Sequence, residues 1–159
     1  MKKLFIAFLL LSGGFVSAQD YSVPVRTTAE CKAAEPEVLL AANLIMSKPL
    51  KNPEAKKAES FVLTWMTNCE YTFELGGNIT KLNKKENAEL LFVYMACQAK
   101  FVLENPSKAK DTEAITLAAY SALADYVAVA ANGVKQTKEV KRLIEAKEAG
   151  TMKEYAAEK

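Results

Sequence analysis

The chain has 159 residues, half of them hydrophobic, and it carries 21 basic and 19 acidic side chains but no histidine. The missing histidine excludes Ser-His and Cys-His nucleophile pairs, histidine-ligated zinc or haem, and HExxH hydrolysis. Because the charges nearly balance, the chain lacks the excess of basic residues that is typical of a nucleic-acid-binding protein.

The first eighteen residues predict an export signal. Lys2 and Lys3 give a basic start, an apolar run follows over residues 4–11, and the small residues at 16–18 fit a cleavage pattern. That run is too short to span a bilayer, and no later stretch is long and uncharged enough to do so. We therefore expect residues 1–18 to be a signal peptide that is removed and residues 19–159 to form a single helical domain. The mature protein would be secreted, periplasmic or extracellular, without a membrane span. Because the signal holds two lysines and no acid, the mature chain would carry 19 basic and 19 acidic residues, a net charge of zero.

The first helical signals lie near the start of this domain. Thr27 and Glu30 have the spacing of a capping box. Pro36 would fall in the second turn of such a helix, so either the helix kinks there or the first main helix starts at Pro36 after a separate turn. An apolar helical stripe then continues to a stop before Pro49.

The second main helix has the clearest amphipathic pattern in the chain. Asn52 is a good N-cap and Pro53 suits the first helical position. One arc then holds the apolar side chains Ala58, Phe61, Val62, Trp65, Met66, Cys69 and Phe73. Residues 71–83 follow as either a short extended segment or a frayed helix end with a turn.

The third main helix, predicted over Glu86–Glu104, is apolar over roughly two-thirds of its circumference. Asn83 and Glu86 open it like a capping box. A helix of this kind must be covered on several sides, so we expect it at the centre of a bundle.

Two further helices complete the predicted fold. The fourth starts at Asp111 or Thr112 and is stopped by Asn132-Gly133, with a buried side that includes Ile115, Ala119, Ala122, Tyr126 and Val129. The fifth starts at Thr137, has a thin apolar stripe, and breaks at Gly150 before a last turn or two. The sequence thus predicts an all-α fold, an antiparallel up-and-down helical bundle of four main helices plus a weaker C-terminal fifth helix packed on the outside.

Gln98 is the one polar residue inside the apolar arc of the central helix. A buried amide without partners costs roughly 1–3 kcal/mol, so we expect it to be hydrogen-bonded, with Tyr94 or Tyr126 as candidate partners. It could fix the register of the helices as a satisfied polar group. Alternatively, it could line a small-molecule pocket between helices.

The cysteines Cys31, Cys69 and Cys97 allow one internal disulfide in an exported chain. In an antiparallel bundle Cys31 and Cys69 would lie almost level. Cys69 and Cys97 would be separated by about 15 Å along the helix axis, too far for a bridge. The sequence therefore predicts a Cys31–Cys69 disulfide and a free Cys97.

These patterns favour a non-catalytic interaction or structural protein over an enzyme. The alternative is an exported binder of a small apolar or amphipathic ligand, held between helices near Gln98. We expect no catalytic residues, cofactor, metal site or nucleic-acid partner; the partner would be an unknown protein or a small apolar ligand. Cavity volume within the bundle would favour the ligand binder, and a filled core with exposed apolar surface would favour the interaction protein.

Overall fold

The computed structural model describes residues 21–158, and within this part of the chain every regular element is helical. The predicted signal peptide lies outside the described residues. The eight α-helices are α1 (Thr28–Ala33), α2 (Glu35–Ser47), α3 (Ala55–Asn68), α4 (Asn78–Leu82), α5 (Leu90–Glu104), α6 (Thr112–Ala128), α7 (Lys138–Glu148) and α8 (Met152–Ala157). The all-α prediction is confirmed.

The capping box and the proline at the N-terminal end of the domain both mark the start of a helix. The Thr27 hydroxyl accepts the Glu30 N–H at 3.2 Å, and the Glu30 carboxylate accepts the Thr27 N–H at 3.1 Å, which completes the capping box of α1. Pro36 does not kink a helix. It lies in the first turn of α2, where its missing N–H removes no internal hydrogen bond.

Helix α3 is shorter than its apolar stripe. It begins at Ala55, because Asn52 accepts the Glu54 N–H at 2.9 Å within a turn that precedes the helix, and it ends at Asn68. Residues 71–76 form no helix or turn, which fits the first of the two predicted alternatives, and we call them the extended segment. The ring of Trp65, whose side chain is fully buried, packs on Tyr71 and Phe73 with centroids 5.6 and 6.1 Å away. These two aromatic residues hold the extended segment against α3.

Helix α5 lies at the centre of the fold. It packs on α2, α3, α4 and α6, and the seven consecutive residues Val93–Ala99 are all buried. The helix begins at Leu90, four residues later than predicted, after one turn of 3-10 helix over Lys85–Asn87. The Asn83 side chain accepts the Leu91 N–H at 3.0 Å. Asn83 therefore bonds to the first turn of α5 directly and does not form the expected capping box with Glu86.

Helices α3 and α5 run in the same direction. At one end, Lys56 in the first turn of α3 pairs with Glu89, the residue before α5, at 2.8 Å. At the other end Cys69, just after α3, and Lys110, in the link after α5, line one cavity. The uninterrupted up-and-down order predicted for the main helices is therefore wrong at this step. Residues 69–89 return along the bundle instead of forming a tight turn near residue 78.

The C-terminal helices close the other side of the bundle. Asp111 caps α6 and Thr137 caps α7. Helix α7 packs antiparallel on α6, with Lys147 bonded to the Ser121 carbonyl and Gln136 bonded to the Val127 carbonyl. Val129, predicted to be buried, is half exposed because α6 ends at Ala128.

The end of the described chain approaches the backbone at Gly77. This glycine has a φ of +66°, and a Cβ there would lie 3.1 Å from the Glu158 carbonyl oxygen. Both the left-handed conformation and the close approach favour glycine. Within residues 21–158, no helix is both long and apolar enough to cross a membrane.

Candidate functional site

Gln98 lies at the centre of the molecule, inside the buried run of α5, and none of its surface is exposed. Its Nε2 donates to the Glu74 carbonyl at 2.8 Å. The principal partner is thus a backbone group of the extended segment rather than a tyrosine of a neighbouring helix. The same amide carries Oε1, which makes no hydrogen bond within the described part of the chain.

Tyr94 and Tyr120 stack beside Gln98 between α5 and α6. Their ring centroids are 4.8 Å apart, and the Tyr120 hydroxyl accepts the Ile79 N–H at 2.9 Å. The Tyr94 hydroxyl interacts with the side chains of Gln98, Tyr120 and Thr116. Burial, more than any of these contacts, raises the pKa of Tyr94 well above its usual range, so this phenol stays neutral.

Tyr126, the other predicted partner of Gln98, contacts a different part of the molecule. Its hydroxyl donates to the Lys48 carbonyl at 2.9 Å, near the C-terminal ends of α6 and α2. Burial raises the pKa of Tyr126 to about 12. The structure therefore brings Tyr94 to Gln98 but leaves Tyr126 to hold the α2–α3 connection.

Thr116 and Glu74 belong to this site although the sequence analysis missed both. The Thr116 Oγ1 is sequestered from solvent and makes no hydrogen bond within residues 21–158. The available signal for Thr116 was its position one helical turn before Tyr120 in α6. Glu74 binds Gln98 through its carbonyl, which no side-chain pattern can reveal.

A cavity of about 440 Å³ lies next to this polar group, between α6, α8 and the extended segment. We call it the Thr116 cavity. It is lined by Glu74, Glu113, Thr116, Leu117, Lys153, Ala156 and Ala157. Gln98 does not line it, but Glu74, whose carbonyl accepts from Gln98, and Thr116, which interacts with Tyr94, both do.

Acidic side chains outnumber basic ones in the lining of the Thr116 cavity. Lys153 pairs with Glu113 at 2.8 Å, and both side chains are largely exposed. Glu74 makes no ion pair among the described residues. Glu74 therefore adds to the lining a carboxylate that has no cationic partner among the described residues.

The predicted Cys31–Cys69 disulfide is not formed, and all three cysteines are free thiols. The Cys31 thiol donates to the Val25 carbonyl and the Cys69 thiol to the Met66 carbonyl, each at 3.6 Å. The two residues line one cavity of about 260 Å³ without meeting. Cys69, the C-cap of α3, still donates its N–H to the Trp65 carbonyl, so the register brings it to the same cavity as Cys31, but each thiol is directed to a backbone carbonyl and not to the other sulfur.

The thiols are poorly suited to nucleophilic chemistry. Burial raises the pKa of Cys31 and of Cys69, and it raises the pKa of Cys97 to about 12. A thiol rather than a thiolate is then present at neutral pH. No group of three or more Cys, Asp or Glu side chains within residues 21–158 is arranged to hold a metal ion.

Comparison with known protein families, curated proteins and solved structures finds no match to this chain.

Proposed function

We propose that this protein, once freed of residues 1–18, is a non-catalytic interaction or structural protein of the periplasm or cell exterior. Support comes from the chemistry of its side chains. The chain has no histidine, and burial raises the pKa of its three thiols. Surface carboxylates such as Glu54, Glu104 and Glu158 are neutralised in ion pairs.

Exposed aliphatic side chains on α2 and α3 are the observation that carries this proposal. Leu40 is 53% exposed and Leu63 is 42% exposed. The two helices are antiparallel: Lys48 pairs with Glu54 at one end, and the Tyr71 hydroxyl donates to the Glu35 carboxylate at the other. This register puts Leu40 approximately level with Leu63. Two apolar side chains at one level offer a protein partner a hydrophobic contact at low desolvation cost.

Site-specific photo-crosslinking tests this contact in the cells that produce the protein. A benzophenone side chain at Leu40 or Leu63 should give a discrete crosslinked product, because a partner covering one residue also reaches the other. The matched control is the same side chain at Lys141, an exposed polar position on α7, which packs on α4, α6 and α8. Products of equal yield at all three positions, or none at positions 40 and 63, would contradict the proposal.

The proposed export is tested separately by the intact mass of the mature protein. We expect a chain that begins at Gln19, with allowance for cyclisation of a terminal glutamine. An extracellular or periplasmic form that keeps residues 1–18 would contradict this part of the proposal.

A second candidate function is the binding of a small apolar or amphipathic ligand between helices near Gln98. The Thr116 cavity favours it, since the lining includes Glu74, whose carbonyl accepts from Gln98, and Thr116, which interacts with Tyr94 beside Gln98. Its volume of about 440 Å³ is within the range of small-molecule sites.

A further inference from the structure

We propose that a groove rich in lysine, between α4, the link that leads to α5 and the start of α7, binds a diphosphate group. The groove has a volume of about 530 Å³, and five of its nine lining residues are lysines. We call it the lysine groove. It is lined by Lys81, Leu82, Lys84, Lys85, Glu86, Lys135, Thr137, Lys138 and Glu139. This inference is independent of the two functions proposed above.

The lining of the lysine groove is strongly basic, although the mature chain is predicted to be neutral. It holds five ammonium groups and two carboxylates, a net charge of +3. Glu86 pairs with Lys135 at 2.7 Å, and Glu139 pairs with Arg142, outside the groove, at 2.9 Å. Three of the five lysines make no ion pair among the described residues: Lys84, Lys85 and Lys138. A diphosphate carries about three negative charges at neutral pH and would balance this excess.

A buried side chain joins the two halves of the lysine groove. Asn87 is only 1% exposed, and its Nδ2 donates to the Lys135 carbonyl at 2.9 Å. Its Oδ1 accepts the N–H of the same residue at 3.0 Å. Because these two residues are 48 positions apart in the chain, the fold itself brings the lysines of the two segments together. It keeps them together although like charges repel one another.

Lys85 has a backbone conformation that is unfavourable for a lysine. Its φ is +50°, in the left-handed region that glycine adopts freely and that a side chain with a Cβ adopts at a cost. No ion pair with another described residue offsets this cost. Strain of this kind is typical of functional sites, and a ligand that binds the ammonium group accounts for a lysine at this position.

The start of α7 favours a phosphate over other anions of similar charge. Thr137 accepts the Val140 N–H, whereas the N–H groups of Lys138 and Glu139 have no partner within the helix. Both of these residues line the lysine groove. Backbone N–H groups at the start of a helix and lysine ammonium groups are both typical ligands of phosphate oxygens.

The test titrates the isotope-labelled mature chain with pyrophosphate at neutral pH and low salt, monitored by amide chemical shifts. Orthophosphate, which carries fewer charges, and citrate, which carries its charges on carboxylates, are the comparison ligands. We expect shifts centred on Lys85, Lys138 and Glu139. Pyrophosphate should bind at least about threefold more tightly than either comparison ligand, as one further partly screened ion pair implies. Its affinity should decrease as salt is added.

Two glycine variants assign the binding to the lysine groove. Lys85→Gly should lower the affinity for pyrophosphate at least about threefold, because it removes one unpaired ammonium group. Lys51→Gly is the matched control: Lys51 is also exposed, also has a positive φ, of +69°, and does not line the groove. It should leave the affinity unchanged. Both variants relieve the same backbone strain, so their urea midpoints should equal or exceed that of the parent chain.

Vesicles distinguish a soluble phosphate from a lipid headgroup. Sedimentation with phosphatidylglycerol vesicles but not with phosphatidylcholine vesicles, lost in Lys85→Gly, would assign the lysine groove to a lipid headgroup. Pyrophosphate binding without sedimentation would assign it to a soluble phosphate. The proposal is overturned if pyrophosphate causes no shifts, if citrate binds as tightly, or if the two glycine variants have equal affinities. None of these results bears on the crosslinking test at Leu40 and Leu63.

Discussion

At the scale of single residues, the most unusual feature is that the buried amide of Gln98 is only half satisfied. Its Nε2 has a partner in the Glu74 carbonyl, whereas its Oε1 has none within the described residues. The bonded half stabilises the extended segment, and the unbonded half carries the cost of lost hydration.

Replacing Gln98 by leucine should therefore change the free energy of unfolding by less than about 1 kcal/mol. The substitution removes the unsatisfied oxygen, and the Glu74 carbonyl that loses its partner belongs to an exposed residue that water can reach. Urea denaturation followed by circular dichroism measures the change. Gln98→Ala is the contrasting variant, because it also leaves a cavity and should cost about 2 kcal/mol or more. If the leucine variant is as unstable as the alanine variant, the amide stabilises the fold through its hydrogen bond and not only by filling space, which would contradict this prediction.

The three cysteines should differ in their reaction with a thiol reagent such as DTNB. Cys69 is half-buried while Cys31 and Cys97 are buried, so the native protein should react first at Cys69 and at Cys97 only on unfolding. The denatured, unreduced protein should release three equivalents of chromophore. A single equivalent would mean that a disulfide forms after all and would contradict the free-thiol arrangement.

At the scale of helices, the short elements are held by buried side chains that reach across the fold. Asn78, the first residue of α4, donates to the Tyr155 carbonyl of α8 at 2.6 Å and accepts from Lys81 at 2.8 Å. Because α4 has five residues and α8 has six, neither is stable as an isolated helix. Their order depends on contacts of this kind.

Asn78→Ala should lower the free energy of unfolding by about 1–3 kcal/mol, because it removes a buried hydrogen bond and leaves the Tyr155 carbonyl with only the longer bond from the Glu158 N–H, at 3.4 Å. Thr80→Ala is the matched control in the same helix. Its hydroxyl bonds only to the nearby Gly77 carbonyl on the surface, and its loss should cost well under half as much. Hydrogen exchange should locate the Asn78→Ala effect in α4 and α8. Uniform loss of protection throughout the bundle would contradict this local role.

The elements that sequence reasoning predicted well are those with local causes. The capping box of Thr27, the caps at Asp111 and Thr137, and the buried face of α3 at Phe61, Val62 and Trp65 all follow from neighbours within a few residues. The α-helix α4 was missed because a five-residue helix has no measurable periodicity.

The direction of α5 and the partner of Gln98 could not be predicted because their causes are distant in sequence. Trp65 draws Tyr71 and Phe73 back along α3, and this packing turns a supposed tight loop into a long return. The same return brings the Glu74 carbonyl to Gln98. The predicted Cys31–Cys69 pairing failed because each thiol bonds to a backbone carbonyl close to it in sequence and not to the other cysteine.

At the scale of the whole molecule, the response to pH is set by buried acids of high pKa. Burial raises the pKa of Cys97 and of Tyr126 to about 12, and those of Tyr94, Tyr120 and Tyr155 also rise. These groups stay neutral in the folded protein at a pH where the unfolded chain already ionises. Above the ordinary values near 9 and 10 the unfolded state therefore binds fewer protons, and stability decreases as pH rises.

We expect the urea midpoint to change little between about pH 6 and pH 8 and to decrease above about pH 9. The flat region follows from the absence of histidine, the side chain that ordinarily titrates there. Tyrosine absorbance near 295 nm should show phenol ionisation coinciding with unfolding at high pH. A marked loss of stability between pH 6 and 8, or full tyrosine ionisation in a protein that remains folded, would contradict this account.

The shared direction of α3 and α5 also has a consequence for the time course of folding. The central helix contacts α2 through Lys100 and Asn43, which are 57 residues apart in the chain, so its docking must close a long loop. Loop closure costs entropy before the contact repays it, and helical proteins with such distant contacts fold more slowly than bundles joined by tight turns. The N-terminal half would then remain loosely assembled until α5 has been synthesised and has docked on α2. Shortening the 69–89 return would not speed this step, because a tight turn would force α5 to run the opposite way.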